Sequence, residues 1–261
     1  MSKSKRLNSM MQVDFRRMFT TSRLPIFLLI ALMMPILILT MTTMVSGTEV
    51  ANPQTGVVTT MEAFTNTWQI IGSESGAGMM AMDMTTMCNI NLIFFMAGVF
   101  VCLFVADDFR SGYAKNLFTV RARKMDYVIS KTVSGFFAGA LMLIVFFFGA
   151  IIGGAAAGLP FTLGAAGVFS LIMCMIAKIF LMLVFVAIAV LVSCFGKNRS
   201  WLSILLFAFA GMLLFMMIPM MTPLNAGIMN VMMCLVGGAL FAAGLGAGSN
   251  ALLTRQDLIY E

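Results

Sequence analysis

Residues 84–131 read MTTMCNINLIFFMAGVFVCLFVADDFRSGYAKNLFTVRARKMDYVISK. From Met84 to Ala106 there is no charge, and roughly 20 apolar residues of helix cross a bilayer core of about 30 Å. Polarity changes abruptly at Asp107 and Asp108, and after Lys131 no charge returns until Lys178. An apolar run, a segment of mixed charge and a second apolar run describe two membrane spans joined by a loop.

The same reading extends in both directions. Leu24 to Val45 is uncharged and ends in a Thr/Gly/Asn/Pro segment, which makes it span one. A signal peptide is the competing reading, but the run is longer than a signal core and lacks a small-x-small cleavage site. Span two is Met84 to Ala106. The interval between Lys131 and Lys178 is too long for one crossing and is divided at Gly153, Gly154, Gly158 and Pro160. Span three is therefore about 127–153 and span four about 165–194. Between Ser200 and Thr254 the uncharged stretch is interrupted by Pro219, Pro223 and Asn225, giving span five at about 201–218 and span six at about 228–248. The sequence predicts an all-α membrane protein with a leader over 1–23 and a six-span domain over 24–261.

The basic residues orient the spans. Lys3, Lys5, Arg6, Arg16, Arg17 and Arg23 precede span one. Arg110, Lys115, Arg121, Arg123, Lys124 and Lys131 lie around the junction of spans two and three. Lys197 and Arg199 follow span four, and Arg255 follows span six. The opposite segments carry only Glu49, Glu62, Glu74 and Asp83. Cytoplasmic loops collect Lys and Arg, so both termini are expected in the cytoplasm.

Composition removes several classes of function. The chain is 61% apolar and 10% charged, against about 25% charged in soluble domains. Its net charge of +6 is therefore a topology signal, with no basic groove for nucleic acid. Histidine is absent, which removes the common proton shuttle and metal ligand and every Ser-His or Cys-His pair. The five cysteines lie in apolar runs without CxxC spacing and read as small buried hydrophobes. No cofactor or metal site is expected in this chain.

Two polar segments stand out besides the short turns. In the leader, Leu7, Met10, Met11, Phe15, Met18 and Phe19 recur at helical spacing with Arg6, Asp14, Arg16 and Arg17 between them, as in an interfacial amphipathic helix on the inner leaflet; a basic leader without such a helix is the alternative. The segment 47–83 has room for a small cap or one short helix, with Val57, Val58, Met61, Phe64, Trp68 and Ile71 approximating one apolar face. Between spans two and three, Phe109, Tyr113, Leu117 and Phe118 recur as in a short amphipathic helix carrying both charge signs. That helix suits either docking of a soluble partner or rest on anionic membrane lipid.

At these residues the chain resembles the permease subunits of the ABC-2 type family of ATP-driven exporters. The acidic pair Asp107-Asp108, Gly112, Lys115, Leu117, the basic run from Arg121 to Lys124, and Lys131 carry the likeness, which extends to six spans, cytoplasmic termini and a longer first outer loop. It is nearer the small bacterial permeases of bacteriocin or lantibiotic immunity and peptide export than the large eukaryotic half-transporters. One departure is the lack of a legible helical hairpin between spans five and six. The resemblance implies a bacterial plasma-membrane protein working as a pair, with a second copy or a sister permease. It also implies cytoplasmic P-loop ATPase subunits that bind ATP and Mg. Asp107, Asp108, Phe109, Arg110, Tyr113, Lys115 and Arg121 would be the ATPase-coupling residues, and an antimicrobial or toxic peptide would be a fitting cargo. This chain has no phosphate loop of its own, so hydrolysis would belong to the partner.

Lys178 is the ionisable residue deep in a span, on the order of 25 Å from the inner end of span four. Asn89 and Asn91 lie at comparable depth in span two. A buried cation needs a polar partner or a wet cavity, so Lys178, Asn89 and Asn91 are candidates for lining or locking a translocation path; snorkelling toward the outer headgroups is the alternative. The spaced glycine pairs 135/139, 149/153 and 244/248 are suited to close packing of helices within the bundle. The outer methionines, which include Met41, Met44, Met79, Met80, Met82 and Met84, suit either Cu(I) or a surface that repacks around greasy substrates. Two other classes compete with the exporter. A secondary transporter or channel independent of ATP would need carboxylates within its spans, and an intramembrane enzyme would need paired acids or histidine.

Overall fold

A computed structural model describes residues 3–45, 49–51, 58–60, 64–72, 88–119, 123–163, 167–215 and 218–255. These residues form α1 (Lys3–Thr20), α2 (Arg23–Val45), β1 (Glu49–Ala51), β2 (Val58–Thr60), a 3-10 turn (Thr67–Ile70), α3 (Leu92–Arg110), α4 (Tyr113–Thr119), α5 (Lys124–Ala156), α6 (Gly167–Gly196), α7 (Ser200–Phe215), α8 (Ile218–Met221) and α9 (Ile228–Arg255). The β1–β2 pair is a small antiparallel hairpin with Val50 opposite Thr59. Everything else of consequence is helical.

Five helices, α2, α3, α5, α6 and α9, are long and apolar enough to cross a membrane. The expected sixth crossing at 201–218 differs. Helix α7 ends at Phe215, so its 16 residues reach only about 24 Å at 1.5 Å per residue. The helix α8 then follows, and residues 222–226 turn back into the protein with Thr222, Leu224 and Ala226 buried. No helical hairpin is legible here in the sequence, and the described residues between α7 and α9 form only the one-turn helix α8 and this turn.

Several boundaries also move. Helix α3 continues through Asp107 and Asp108 to Arg110, because both carboxylates find cationic partners; the expected end at Ala106 came from treating them as loop. At its other end α3 begins at Leu92, after a turn over Cys88–Asn91. Helix α5 begins at Lys124 instead of Tyr127 and runs to Ala156. Helix α9 continues past Gly248 to Arg255.

Helices α3 and α6 lie at the centre, with α5 beside both. Ile93, Phe94, Ala97, Val101, Val105, Phe146, Phe185 and Val190 fill the core. Helix α7 presents Ser200, Ser203, Phe207 and Gly211 inward at helical spacing, and Phe207 lies directly over Gly98 of α3, where a Cβ would overlap its ring. On the other flank α2 packs along α5. A Cβ on Gly149 would strike the Leu32 carbonyl and the Pro35 ring, and one on Gly153 would come within 2.8 Å of Ile36 Cα. The pair at 135/139 has the same effect against Val101, Val186 and Met182. The pair at 244/248 does not, since Gly244 has open space around it.

The two ends of the bundle are distinguishable. At one end Arg23 bonds Asp107, Arg110 bonds the Asn198 carbonyl and the Ser200 hydroxyl, and Lys124 Nζ donates to the Leu253 carbonyl. The basic residues around the helix ends therefore converge there. At the other end residues 64–72 form a cap. Thr67 N–H donates to the Pro160 carbonyl (3.1 Å), Ile90 N–H donates to the Ile70 carbonyl (2.9 Å), and Asn66 bonds Thr162. Trp68 stacks on Phe147 and meets Phe161 edge-on. Phe64, Trp68 and Ile71 of the expected apolar face are thus buried, whereas Val57 and Met61 lie outside the described residues.

Overpacking a close helix contact costs typically about 1–3 kcal/mol. Gly153→Leu should lower the thermal unfolding midpoint of the purified protein in detergent, while Gly244→Ala should leave it unchanged. Equal midpoints for the two variants would contradict the described α2–α5 contact.

Candidate functional site

The basic end is organised around Lys131, two turns into α5. Its ammonium is fully buried, 2.7 Å from Asp14 Oδ1 and 2.7 Å from Asp108 Oδ2, and lies 4.1 Å from the centre of the Phe104 ring. Both carboxylates are also inaccessible to solvent. Ser130 Oγ donates to the second Asp14 oxygen at 2.6 Å. Asp108 accepts from Tyr127 Oη at 3.0 Å and from Arg17 Nη1 at 2.7 Å. Two acids and two bases therefore balance: Ser130 fills the second Asp14 oxygen, Arg17 takes Asp108 Oδ1, and Tyr127 shares Asp108 Oδ2 with Lys131. Such satisfaction is what a buried ion cluster requires.

Three separate elements supply it: Asp14 and Arg17 from α1, Asp108 from α3, and Tyr127, Ser130 and Lys131 from α5. Helix α1 buries Met10, Asp14 and Met18, spaced four apart, so the acid sits in the middle of its apolar stripe. This corrects the expectation of a leader with its acid on the polar face: Phe19 is exposed and Asp14 is buried. A second pair, Arg6 with Asp126 (2.7 Å), ties the start of α1 to α5, and Arg23 with Asp107 ties the start of α2 to α3. Each carboxylate whose side chain is described is in an ion pair. The cluster connects three helices electrostatically.

Around this cluster lie aromatic rings. Tyr127 is edge-on to Phe109 and to Phe118, and the Arg17 guanidinium lies 4.4 Å from the centre of the Tyr113 ring. Burial pushes the Tyr113 phenol up from its ordinary value, and Asp14 and Asp108 push it further, so it remains neutral. For Arg17, burial pulls the guanidinium down, but the adjacent Asp108 carboxylate, its hydrogen bond and Asp14 together raise it. Arg17 stays charged.

The residues assigned to ATPase coupling divide into groups. Asp107, Asp108, Phe109 and Tyr113 turn inward and make the contacts just described. Arg110 is exposed but holds the α6–α7 turn through Asn198 and Ser200. Lys115 is exposed on α4, with Asn116 and Thr119. Arg121 lies outside the described residues. Sequence reasoning passed over Asp14 and Ser130. The signal for Asp14 was present in the four-residue spacing of Met10, Asp14 and Met18, whereas nothing marks Ser130 apart from its position beside Lys131.

A second polar site lies near the capped end. Lys178 of α6, 1% exposed, donates to Asn91 Oδ1 at 3.1 Å and to Thr222 Oγ1 at 2.8 Å. It faces the start of α3 and the turn after α8, and its ammonium is sealed from solvent. Asn89 Oδ1 accepts from the Asn91 N–H (2.9 Å) and so shapes the turn that presents Asn91. Cys174 Sγ, one turn away, donates to the Thr222 carbonyl at 3.5 Å. Gly72 of the cap lies against Cys174 and the Leu224 backbone. Among the described residues, no group of three or more acids or cysteines could hold a metal ion. The outer methionines at 79–87 lie outside the described residues.

Comparison of the chain with family models, curated proteins and solved structures finds no match.

Removing one partner of a buried ion pair typically costs about 3–5 kcal/mol, because the other charge is left desolvated. Lys131→Met strands Asp14 and leaves Asp108 with Arg17 as its remaining cation. It should lower the unfolding midpoint and expose the α1–α2 junction to trypsin at Arg16, Arg17 and Arg23. Wild-type cleavage kinetics in a folded Lys131→Met protein would contradict the latch between α1, α3 and α5.

Proposed function

We propose that the chain is a six-pass permease subunit of an ATP-driven exporter of the ABC-2 type. It resides in a bacterial plasma membrane with both termini in the cytoplasm, and α7 with α8 makes the remaining crossing. It works as a pair with a second copy or a sister permease. Its cargo is an apolar or amphipathic molecule, plausible examples being antimicrobial or toxic peptides, and ATP and Mg bind to separate P-loop ATPase subunits. The observation that supports this reading is the buried cluster at the basic end. Helix α3 ends two residues past Asp108, α4 follows after the Ser111-Gly112 turn, and its Tyr113 lies against Arg17 of α1. A push on α4 would reach α1, α3 and α5 together and rotate them as one body.

This reading moves the partner-facing surface. Asp107, Asp108, Phe109 and Tyr113 transmit force inside the protein, and the exposed side chains of α4, Lys115, Asn116 and Thr119, meet the ATPase. The carboxylates whose side chains are described, Asp14, Asp107, Asp108 and Asp126, all lie in ion pairs at the basic end, where they serve to join helices.

Purification of the full chain from its native membranes should retain a P-loop ATPase. Lys115→Glu combined with Thr119→Arg should reduce the retained ATPase activity at least tenfold without changing the unfolding midpoint of the chain itself. Absence of any ATPase with the wild-type chain, or equal retention by the double variant, would contradict the proposal.

A further inference from the structure

Among the described residues, Lys178 is held by neutral partners. Its two acceptors, Asn91 and Thr222, are neutral side-chain oxygens, and an ammonium has three N–H donors. Among the described residues no carboxylate is within ion-pair distance of it, in contrast to Lys131, which has two. A cation at this depth in a span is costly without an anion and commonly marks a ligand or ion pathway.

An apolar cavity of about 310 Å³ lies on the other side of the same turn. Leu181 and Phe185 of α6, Leu214 of α7, and Cys234, Gly237 and Phe241 of α9 are among its lining residues, with Ile218 and Met221 of α8. Its volume falls in the range of small-molecule sites, roughly 300–1,000 Å³. Phe241 and Met233 at its rim are exposed on the outer, apolar surface of the bundle, so entry is lateral. Met221 joins the two features. It lines the cavity and its carbonyl accepts from Cys234 Sγ, while the next residue, Thr222, accepts from Lys178. The greasy chamber and the charge thus touch consecutive residues of the backbone.

We propose that Lys178 and this cavity form one binding site for a single-chain amphipathic anion, with its carboxylate on the Lys178 ammonium and its hydrocarbon tail in the cavity. The head group replaces the Thr222 or Asn91 oxygen as a charged acceptor, which converts a solvated-by-neutrals lysine into an ion pair. The turn at 222–226 moves aside as the head enters, and the cap over Cys174 and Leu224 sits directly above it. Calling this anion the transported cargo rests on the exporter reading; its binding does not.

Radiolabelled dodecanoate is the probe, with the full chain in detergent and no ATPase present. The wild-type chain should bind it saturably and at least tenfold more tightly than dodecanol. Lys178→Met should weaken dodecanoate binding at least tenfold and leave dodecanol unchanged, and Lys178→Arg should stay within about threefold of wild type. Gly237→Leu fills the chamber at a position whose Cβ meets no neighbour within 4 Å, so it should fold normally and weaken both ligands. Wild-type dodecanoate affinity in either folded Lys178→Met or Gly237→Leu, or dodecanol bound as tightly as dodecanoate, would overturn the site. A failure here leaves ATPase retention by the chain untouched, and loss of ATPase retention leaves dodecanoate binding untouched.

Discussion

The architecture depends on one desolvated ammonium. Lys131 stands fully buried between Asp14 and Asp108, and the arrangement is tolerable because every strong acceptor around it has a donor. Apolar burial alone would not fix where α1 lies, since a greasy stripe slides on a greasy helix at little cost. A buried carboxylate does fix it: Asp14 has one place in the structure where its charge is met. The same argument holds for Asp108, which keeps α3 helical past the point where hydropathy would end it. Register at the basic end is set by electrostatics, and the membrane-length packing above it is set by small residues such as Gly98, Gly149 and Gly153.

The cluster also gives the basic residues a second meaning. Lys and Arg near helix ends orient membrane spans, yet here Arg6, Arg17, Arg23 and Lys131 are all engaged in ion pairs. A residue can serve topology during insertion and then cross-link the folded protein. The consequence for function is mechanical. Helices α1, α3 and α5 are joined by ion pairs at one end, while among the described residues the capped end is held by hydrogen bonds from the Lys178 ammonium to Asn91 and Thr222 and by the contacts of residues 64–72. On the exporter proposal the ion-paired end is the one that moves as a body.

Much of this was legible in the sequence, and the failures have identifiable causes. Charge-free runs located α2 and α6 to within a few residues. They failed at Asp107, Asp108 and Lys124, where charges lie inside paired contacts, because hydropathy scores a residue without its partner. The spacing of Met10, Asp14 and Met18 held the position of the buried acid, but a lone aspartate in an apolar stripe is more often solvated. Lys178 was marked by depth and its facing of Asn91 by matching depth; Thr222 was unmarked, since it comes from a turn that sequence places at the surface. The extent of α7 was misjudged because Pro219 and Pro223 divide a continuous apolar run without saying how its tail folds.

The central claim is that Asp14 and Lys131 stabilise the fold through each other. A double-mutant cycle of Asp14→Asn, Lys131→Met and the pair, read as unfolding free energy in detergent, tests it directly. The account predicts strong non-additivity, with the pair costing at least about 2 kcal/mol less than the sum of the single changes, within the range of about 0.5–3 kcal/mol seen for contacting residues. Additive losses would mean that the two charges do not meet, and would contradict the arrangement on which the rest is built.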